Sequence, residues 1–355
     1  MTLIIAEAGV NHNGDREMAR KLVKAASDAG ADIVKFQTFK AQNLVTKEAQ
    51  QADYQSRNIG RKESQYEMLK RLELTPEMHY ELIAYCKELG IEFLSTAFDD
   101  ESLRFLVGEL GLTRLKVPSG EITNAPFLLN HARTKCDLIV STGMATLAEI
   151  EKALSVIAFG YLDKVTEKPT AADFEAAYSS VEGQELLQSK VSILHCTTEY
   201  PAPFDEINLN AMTTIHQAFK LPVGYSDHSN GIIIPIAAAA KGARIIEKHF
   251  TLDRDLEGPD HKASLEPEEL TNMIDSIKKI EKALGDGIKR PTPSEALNKP
   301  IARKSIVTLK PIKEGQRISI DDIAIKRPGN GRTPFDYWEL IGSVALKSYK
   351  EDELI

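Results

Sequence analysis

The chain has 355 residues, 42% of them apolar and 27% charged, which fits a globular protein of one large and one small domain at roughly 100–200 residues per domain. Lys and Arg number 44 against 52 Asp and Glu, a net charge of −8; this argues against a general nucleic-acid binder, which needs a basic surface, but leaves room for a local basic pocket. Three scattered cysteines (Cys86, Cys136, Cys196), no apolar run near the roughly 18–20 residues that span a bilayer, and no basic region or cleavage site in Met1–Glu7 together predict a cytoplasmic protein with no membrane partner.

Short apolar runs recur along the first 284 residues. They are Leu3–Ala6, Asp32–Phe36, Glu92–Thr96, Arg114–Val117, Asp137–Ser141, Ser192–Cys196, Pro222–Tyr225 and Ala243–Lys248. Their β-branched content and continuous apolarity predict buried parallel strands. Between them lie amphipathic stretches. Met18, Leu22, Val23, Ala26 and Ala29 form one stripe; Leu82, Ile83, Cys86 and Leu89 form another, entered through the cap-and-proline pair Thr75-Pro76. Thr146-Leu147-Ala148-Glu149 is a capping box that opens a third.

Eight βα units predict a TIM (β/α)8 barrel over residues 1–284. An open doubly wound sheet is the rival, weakened because no GxGxxG follows the first strand. Residues 160–190 make one over-long connection, expected as a helical insertion. Residues 285–300 are rich in Pro, Lys, Gly and Asp and read as a linker. Residues 301–355 alternate in short segments and predict a small β-rich domain, near the lower size limit for independence.

In a TIM barrel the residues after each strand line the active face. Here they are polar at every strand: Glu7, then Lys35 and Gln37, Ser95-Thr96, Lys116 with Ser119 and Glu121, Ser141, Thr198 and Tyr200, Ser226 with His228, and His249. His228 and His249 follow neighbouring strands and can converge on a divalent ion such as Mn²⁺; the alternative is two histidines satisfied by backbone groups. Lys35, Lys116, Ser119, Ser141 and Ser226 suit a phosphorylated small molecule. The alternatives are salt bridges of Lys116 with Glu121 or of Lys35 with Glu7, or a Schiff-base aldolase using either lysine. Glu7, Glu121 and Asp260 are the candidate acid–base carboxylates. Glu7 sits at an apolar strand end, where desolvation raises a carboxyl pKa.

At these residues the chain resembles the sialic acid synthase family. The resemblance rests on Ile5–Gly14, Lys35-Phe36-Gln37-Thr38, Pro118-Ser119-Gly120-Glu121, Ser141-Thr142-Gly143-Met144, His195–Pro201, Gly224–His228, Glu247–Thr251 and Gly258-Pro259-Asp260-His261. Lys326-Arg327-Pro328-Gly329-Asn330-Gly331 resembles the signature of the antifreeze-like (SAF) domain.

The resemblance implies a TIM barrel followed by a β-clip SAF domain in a domain-swapped homodimer. It implies condensation of phosphoenolpyruvate with an N-acetylated hexosamine and water to give a nonulosonic acid and phosphate. N-Acetylmannosamine, which gives N-acetylneuraminate, is the first expectation. A diacetamido-trideoxy hexose, which gives legionaminate or pseudaminate, is the alternative. By motif position, His228 and His249 would hold Mn²⁺ (Mg²⁺ or Co²⁺ are alternatives) and Glu7 would be an acid–base group. Lys35, Lys116, Ser119, Ser141 and Ser226 would hold phosphoenolpyruvate. Gln37, Glu121, Tyr200 and Asp260 would contact the sugar, and Arg327 would enter the partner's barrel to bind its N-acetyl group. Thr198 departs from the Asn that some members carry at a phosphate contact. From other classes, a Schiff-base pyruvate aldolase and a non-catalytic carbohydrate-binding protein remain as alternatives.

Overall fold

A computed structural model describes residues 1–51, 63–164, 166 and 168–355. The chain divides into two compact units, Met1–Leu284 and Gly285–Ile355. No helix among the described residues is long and apolar enough to cross a membrane.

The first unit is a closed barrel of eight parallel strands in chain order. They are β1 Leu3–Gly9, β2 Ile33–Thr38, β3 Glu92–Ala97, β4 Arg114–Val117, β5 Asp137–Ser141, β6 Val191–His195, β7 Val223–Asp227 and β8 Ile245–His249. Each overlaps its sequence-predicted run. Helices cover the outside, and their entries follow from local chemistry. Thr75 accepts from the Met78 N–H ahead of Pro76, and Thr146 with Glu149 closes the expected capping box. Within 160–190 two helices form, Ala171–Ser179 and Val181–Lys190.

The barrel interior is layered. Ile5, Ile33, Leu94, Ile139, Leu194 and Ile245 meet in one buried apolar layer. Gly224 takes the remaining space: a Cβ there would collide with the Ile245 carbonyl and the Leu194 side chain. Side chains two residues further along a strand point to the same face, so Glu7, Lys35, Thr96, Ser141 and Glu247 lie in the next layer up. The helix–sheet core lies outside the strands and includes Ile4, Ala6, Val34, Phe93 and Leu138.

A longer excursion than the expected insertion separates β2 from β3. Its described residues include the helices Ala41–Leu44 and Gln65–Leu72. They build a separate apolar cluster of Val10, Phe39, Ala41, Met68, Leu69 and Leu72. Periodicity gave no warning of it, because both helices are short.

In the second unit, Pro293–Ala302 forms a helix capped by Thr292 and Glu295, inside the stretch that composition marks as a linker. β9 Ser305–Thr308 pairs antiparallel with β10 Ile323–Lys326. Ile306, Ile312, Ile318, Ile323, Leu340 and Ala345 form its own core. Arg317–Ile320, whose pattern suggests a strand, makes only an isolated bridge from Arg317 to Val344.

His131, on the helix Ala125–Arg133, is fully buried. Its Nδ1 donates to the Phe127 carbonyl at 2.9 Å, and burial pushes its pKa down to about 4. The unfolded chain takes up this proton near pH 6.5, whereas the native chain refuses it until about pH 4. This contribution to stability is complete above pH 6.5 and is lost as pH falls toward 4. Between pH 7 and pH 5 the loss from His131 is expected to be about 2 kcal/mol. Urea unfolding of the wild type and of His131→Gln at both pH values checks this; the variant should show a smaller pH difference by that amount.

Candidate active site

The C-terminal ends of the strands open into a cavity of about 350 Å³, within the size range of small-molecule sites. Glu7, Lys35, Gln37, Lys116, Ser119, Glu121, Ser141, Thr198, Tyr200, Ser226, His228, His249 and Asp260 all line it. Arg327 lies in the second unit, where its Nε donates to the Ala302 carbonyl at 3.0 Å.

Register explains the convergence. Glu7 sits opposite both Lys35 and His249, Thr96 opposite Lys116, and Ser226 opposite Glu247. The β1 ladder slips between Glu7 and Gly9, so the chain turns away just past the carboxylate.

Four buried charges form the centre. Lys35 pairs with Glu7 and lies 3.0 Å from Glu247; Lys116 lies 3.3 Å from Glu247. Ser226 donates to Glu247 at 2.8 Å, and Lys35 donates to Thr96 at 3.3 Å. The Lys35–Glu7 salt bridge weighed from the sequence is therefore present. The Lys116–Glu121 one is not: Lys116 pairs with Glu247, while Glu121 accepts from Asn124 at 2.7 Å.

The two carboxylates differ. Burial pushes the Glu7 pKa up, and the neighbouring Glu247 charge adds to this, against the pull of Lys35. Glu247 is equally buried, but Lys116 and Lys35 together outweigh desolvation and hold its pKa well below the usual range. Lys35 stays protonated because two carboxylates overcome its desolvation. In Lys116 desolvation wins, and the pKa falls. Glu247 thus carries the lasting negative charge of the cluster, and Glu7 is the one disposed to hold a proton.

One side of the cavity is rich in hydroxyls. Ser119 accepts from the Gly143 N–H at 3.0 Å and lies 3.2 Å from the Cys196 sulfur. A Cβ on Gly143 would strike Thr198 and Ser119, so glycine is what lets both hydroxyls approach that backbone. The Ser141 hydroxyl is buried without a hydrogen-bond partner, as expected of a group reserved for a ligand.

The histidines lie on the other side, with ring centroids 5.7 Å apart. His228 Nδ1 donates to the Thr197 carbonyl at 2.6 Å, which leaves a lone pair on Nε2. His249 Nδ1 is buried without a hydrogen-bond partner, and the nearest Asp260 oxygen is 4.0 Å away. Burial keeps both rings neutral: the His228 pKa falls to about 4 and that of His249 well below its ordinary value. Two neutral nitrogens beside an open cavity fit a divalent ion that takes its other ligands from water and substrate oxygens. No group of three or more His, Cys, Asp or Glu side chains among the described residues is arranged to hold a metal. Tyr200 stacks on His228 at 4.1 Å, and burial raises the Asp260 pKa to about 6.

Two parts of the site carry no assigned role in the sequence reading. Glu247 sits two residues before His249 and shares its face, a phase that strand periodicity could have revealed. Lys248, between them, points the other way and is buried against Asp227 at 2.5 Å. The second is an apolar wall from the β2–β3 excursion.

A closed (β/α)8 barrel carries a buried cation–carboxylate cluster and paired histidines at the mouth of a cavity of small-molecule size. Residues 22–289 match the NeuB family and residues 303–355 match the SAF domain, and the chain belongs to the NeuB family. It is 50% identical over 354 residues to an N,N'-diacetyllegionaminic acid synthase of Campylobacter jejuni, covering 100% of this chain and 98% of that protein. It is 46% identical to an enzyme of the same name from Legionella pneumophila, covering 96% and 89%. Among solved structures, the N-acetylneuraminic acid (sialic acid) synthetase of Leptospira borgpetersenii superposes with a TM-score of 0.67 at 32% identity, covering 84% of this chain and 90% of that one.

Removing the charge of Glu247 leaves two buried lysines with only Glu7 between them. Glu247→Gln is expected to lose roughly 3–5 kcal/mol of stability. Added inorganic phosphate should recover part of that loss and raise the variant's melting temperature more than the wild type's. Thermal unfolding with and without about 10 mM phosphate reads both effects.

Proposed function

We propose that this chain condenses phosphoenolpyruvate with a 2,4-diacetamido-trideoxy hexose and water, giving N,N'-diacetyllegionaminic acid and phosphate. The identity gap carries the choice of sugar: 50% and 46% to two synthases of that name, against 32% to a sialic acid synthetase. N-Acetylmannosamine, the first expectation from the sequence, gives way to the alternative on this ground. The buried lysines and the unpartnered Ser141 hydroxyl support the phosphate-bearing partner.

The chemistry divides among the residues as follows. Lys35 and Lys116, with Ser119, Ser141 and Ser226, hold the phosphate and carboxylate of phosphoenolpyruvate. They act mainly by electrostatic preorganisation in a dry site. His228 and His249 would hold a divalent ion, Mn²⁺ in the first instance, which when bound supplies Lewis acidity toward the sugar's aldehyde. C3 of phosphoenolpyruvate attacks the aldehyde carbon, a C–C bond forms, and the aldehyde oxygen takes a proton. Glu7, disposed to hold a proton, is placed to give it. The attack uses the C2–C3 double bond and leaves C2 cationic; water adds there and returns a proton to Glu7, and the tetrahedral centre expels phosphate, which takes the remaining hydroxyl proton as C2 becomes the ketone. Gln37, Glu121, Thr198, Tyr200 and Asp260 orient the substrates around this path.

An aldolase would instead need a neutral lysine amine. Burial lowers the Lys116 pKa, which is the observation that favours that second reading. Borohydride with pyruvate should leave the chain's mass unchanged if the condensation reading is right, and would add a pyruvate-derived adduct if the aldolase reading is.

In the second unit, Phe335, Trp338 and Leu346 are 94%, 76% and 89% exposed. This supports the proposal that the unit works against a second copy of the chain and brings Arg327 to that copy's sugar site.

Phosphate release from phosphoenolpyruvate with Mn²⁺ is expected to be faster in kcat/KM with the diacetamido sugar than with N-acetylmannosamine. EDTA should abolish it and added Mn²⁺ restore it; full turnover by metal-free protein would remove the metal role. A chain ending before residue 300 should keep a cooperative barrel but lose turnover through a raised sugar KM, and Arg327→Ala should mimic it. Unchanged kinetics in both would remove the shared site.

A further inference from the structure

The cavity has two unlike sides. Its floor is ionic. Another wall comes from the β2–β3 excursion, and of the seven described residues it lends to the lining, only Gln65 is polar. Phe39, Met68 and Leu72 are 2%, 1% and 6% exposed, so the wall is packed and fixed. Its cluster is separate from the barrel's apolar layer and from the helix–sheet core. Phe98, at the end of β3, extends it and packs edge-on against Phe39 with ring centroids 6.2 Å apart.

Resting on the condensation reading, we infer that Phe39, Met68, Leu69, Leu72 and Phe98, with the Gln65 amide beside them, form the subsite for the distal end of the sugar, selecting a C6 methyl and a C4 acetamido group over hydroxyls. The reacting aldehyde must face the ionic floor, where the anion and the histidines are. The far end of an open-chain hexose then meets the apolar wall. A hydroxyl pressed on these apolar side chains loses its water and gains no hydrogen bond from them. A methyl fills the same space, and one methyl-sized group in an apolar pocket is worth roughly 10–200-fold in kcat/KM. The Gln65 amide offers one donor side and one acceptor oxygen, the complement of an acetamide. It lies at the first position of the helix Gln65–Leu72, so that helix sets its place.

The test compares kcat/KM for 2,4-diacetamido-2,4,6-trideoxymannose and for N-acetylmannosamine in the wild type, Leu69→Asn and Gln65→Leu. The expected result is a wild-type preference for the diacetamido sugar that falls at least tenfold in each variant, with the KM for phosphoenolpyruvate unchanged. A ratio within twofold of wild type in both variants overturns the subsite. So does a wild-type preference for N-acetylmannosamine, which would leave the condensation reading standing. If the wild type releases phosphate with neither sugar, the condensation reading fails instead. Binding then decides the subsite. In protein labelled with ¹³C at the methionine methyls, the Met68 resonance, assigned with Met68→Leu, should shift on adding the diacetamido sugar alone. An unmoved Met68 signal overturns the proposal.

Discussion

The barrel is arranged around four ionisable groups almost wholly withdrawn from water. Glu7, Lys35, Lys116 and Glu247 are all at least 96% buried, as their exposures of 1%, 4%, 3% and 4% show. Taking each ion out of water costs several kcal/mol, and only close, well-directed partners offset this. The fold supplies those partners by register. Parallel pairing sets Glu7 beside Lys35, and Ser226 beside Glu247. The isoleucine and leucine layer below seals the cluster, and Gly224 lets that layer close. Such a cluster is a poor device for stability alone, because apolar residues of the same volume would serve as well. Its value is as a receptor. With Glu7 disposed to hold a proton, two lysines face one lasting carboxylate charge, and an anion completes the balance.

The loops above the cluster are held as firmly. Asn11 donates to the Phe250 carbonyl at 2.8 Å and to Ser264 at 3.0 Å, and Ser264 donates to the Asp260 carbonyl at 2.7 Å. Asn13 donates to the Glu257 carbonyl at 2.8 Å. The turn after β1 therefore stitches down the loop after β8, and Asp260 is held near His249 by Asn11 and Ser264, which are not among the described residues lining the cavity. This explains why a run as polar as Asn11-His12-Asn13 is needed beside Glu7. Its amides do positional work, as supporting shells around an active site must.

Much of this was legible in the residues. The eight strands announce themselves because buried parallel strands are apolar on both faces, and in five of them the inward face turns from apolar to polar near the end: Ile5 to Glu7, Ile33 to Lys35, Leu94 to Thr96, Ile139 to Ser141, Ile245 to Glu247. That switch is a two-residue event and survives small errors in strand boundaries. Partner choice is less legible. Lys116 has acidic residues nearby in sequence, yet it pairs across the barrel with Glu247. A local reading favours Glu121 because closure of the barrel, which brings β4 and β8 within reach, leaves no trace in local spacing.

The β2–β3 excursion was hidden for a different reason. Phe39, Met68, Leu69 and Leu72 read as ordinary core residues, since an apolar side chain in a short helix looks the same whether it faces a neighbour or a cavity. Polar residues at strand ends betray a site because they are out of place in a core. Apolar residues that line a site are not out of place anywhere. The ionic chemistry shared across a family is therefore easier to read from one chain than the sugar it selects. In the subsite inferred above, that selection rests on one or two small groups against an apolar surface. The 50% identity to a diacetyllegionaminic acid synthase and the apolar wall point the same way on independent grounds, one evolutionary and one physical. A wall that strips water from whatever touches it favours a sugar that has lost its hydroxyls at that end.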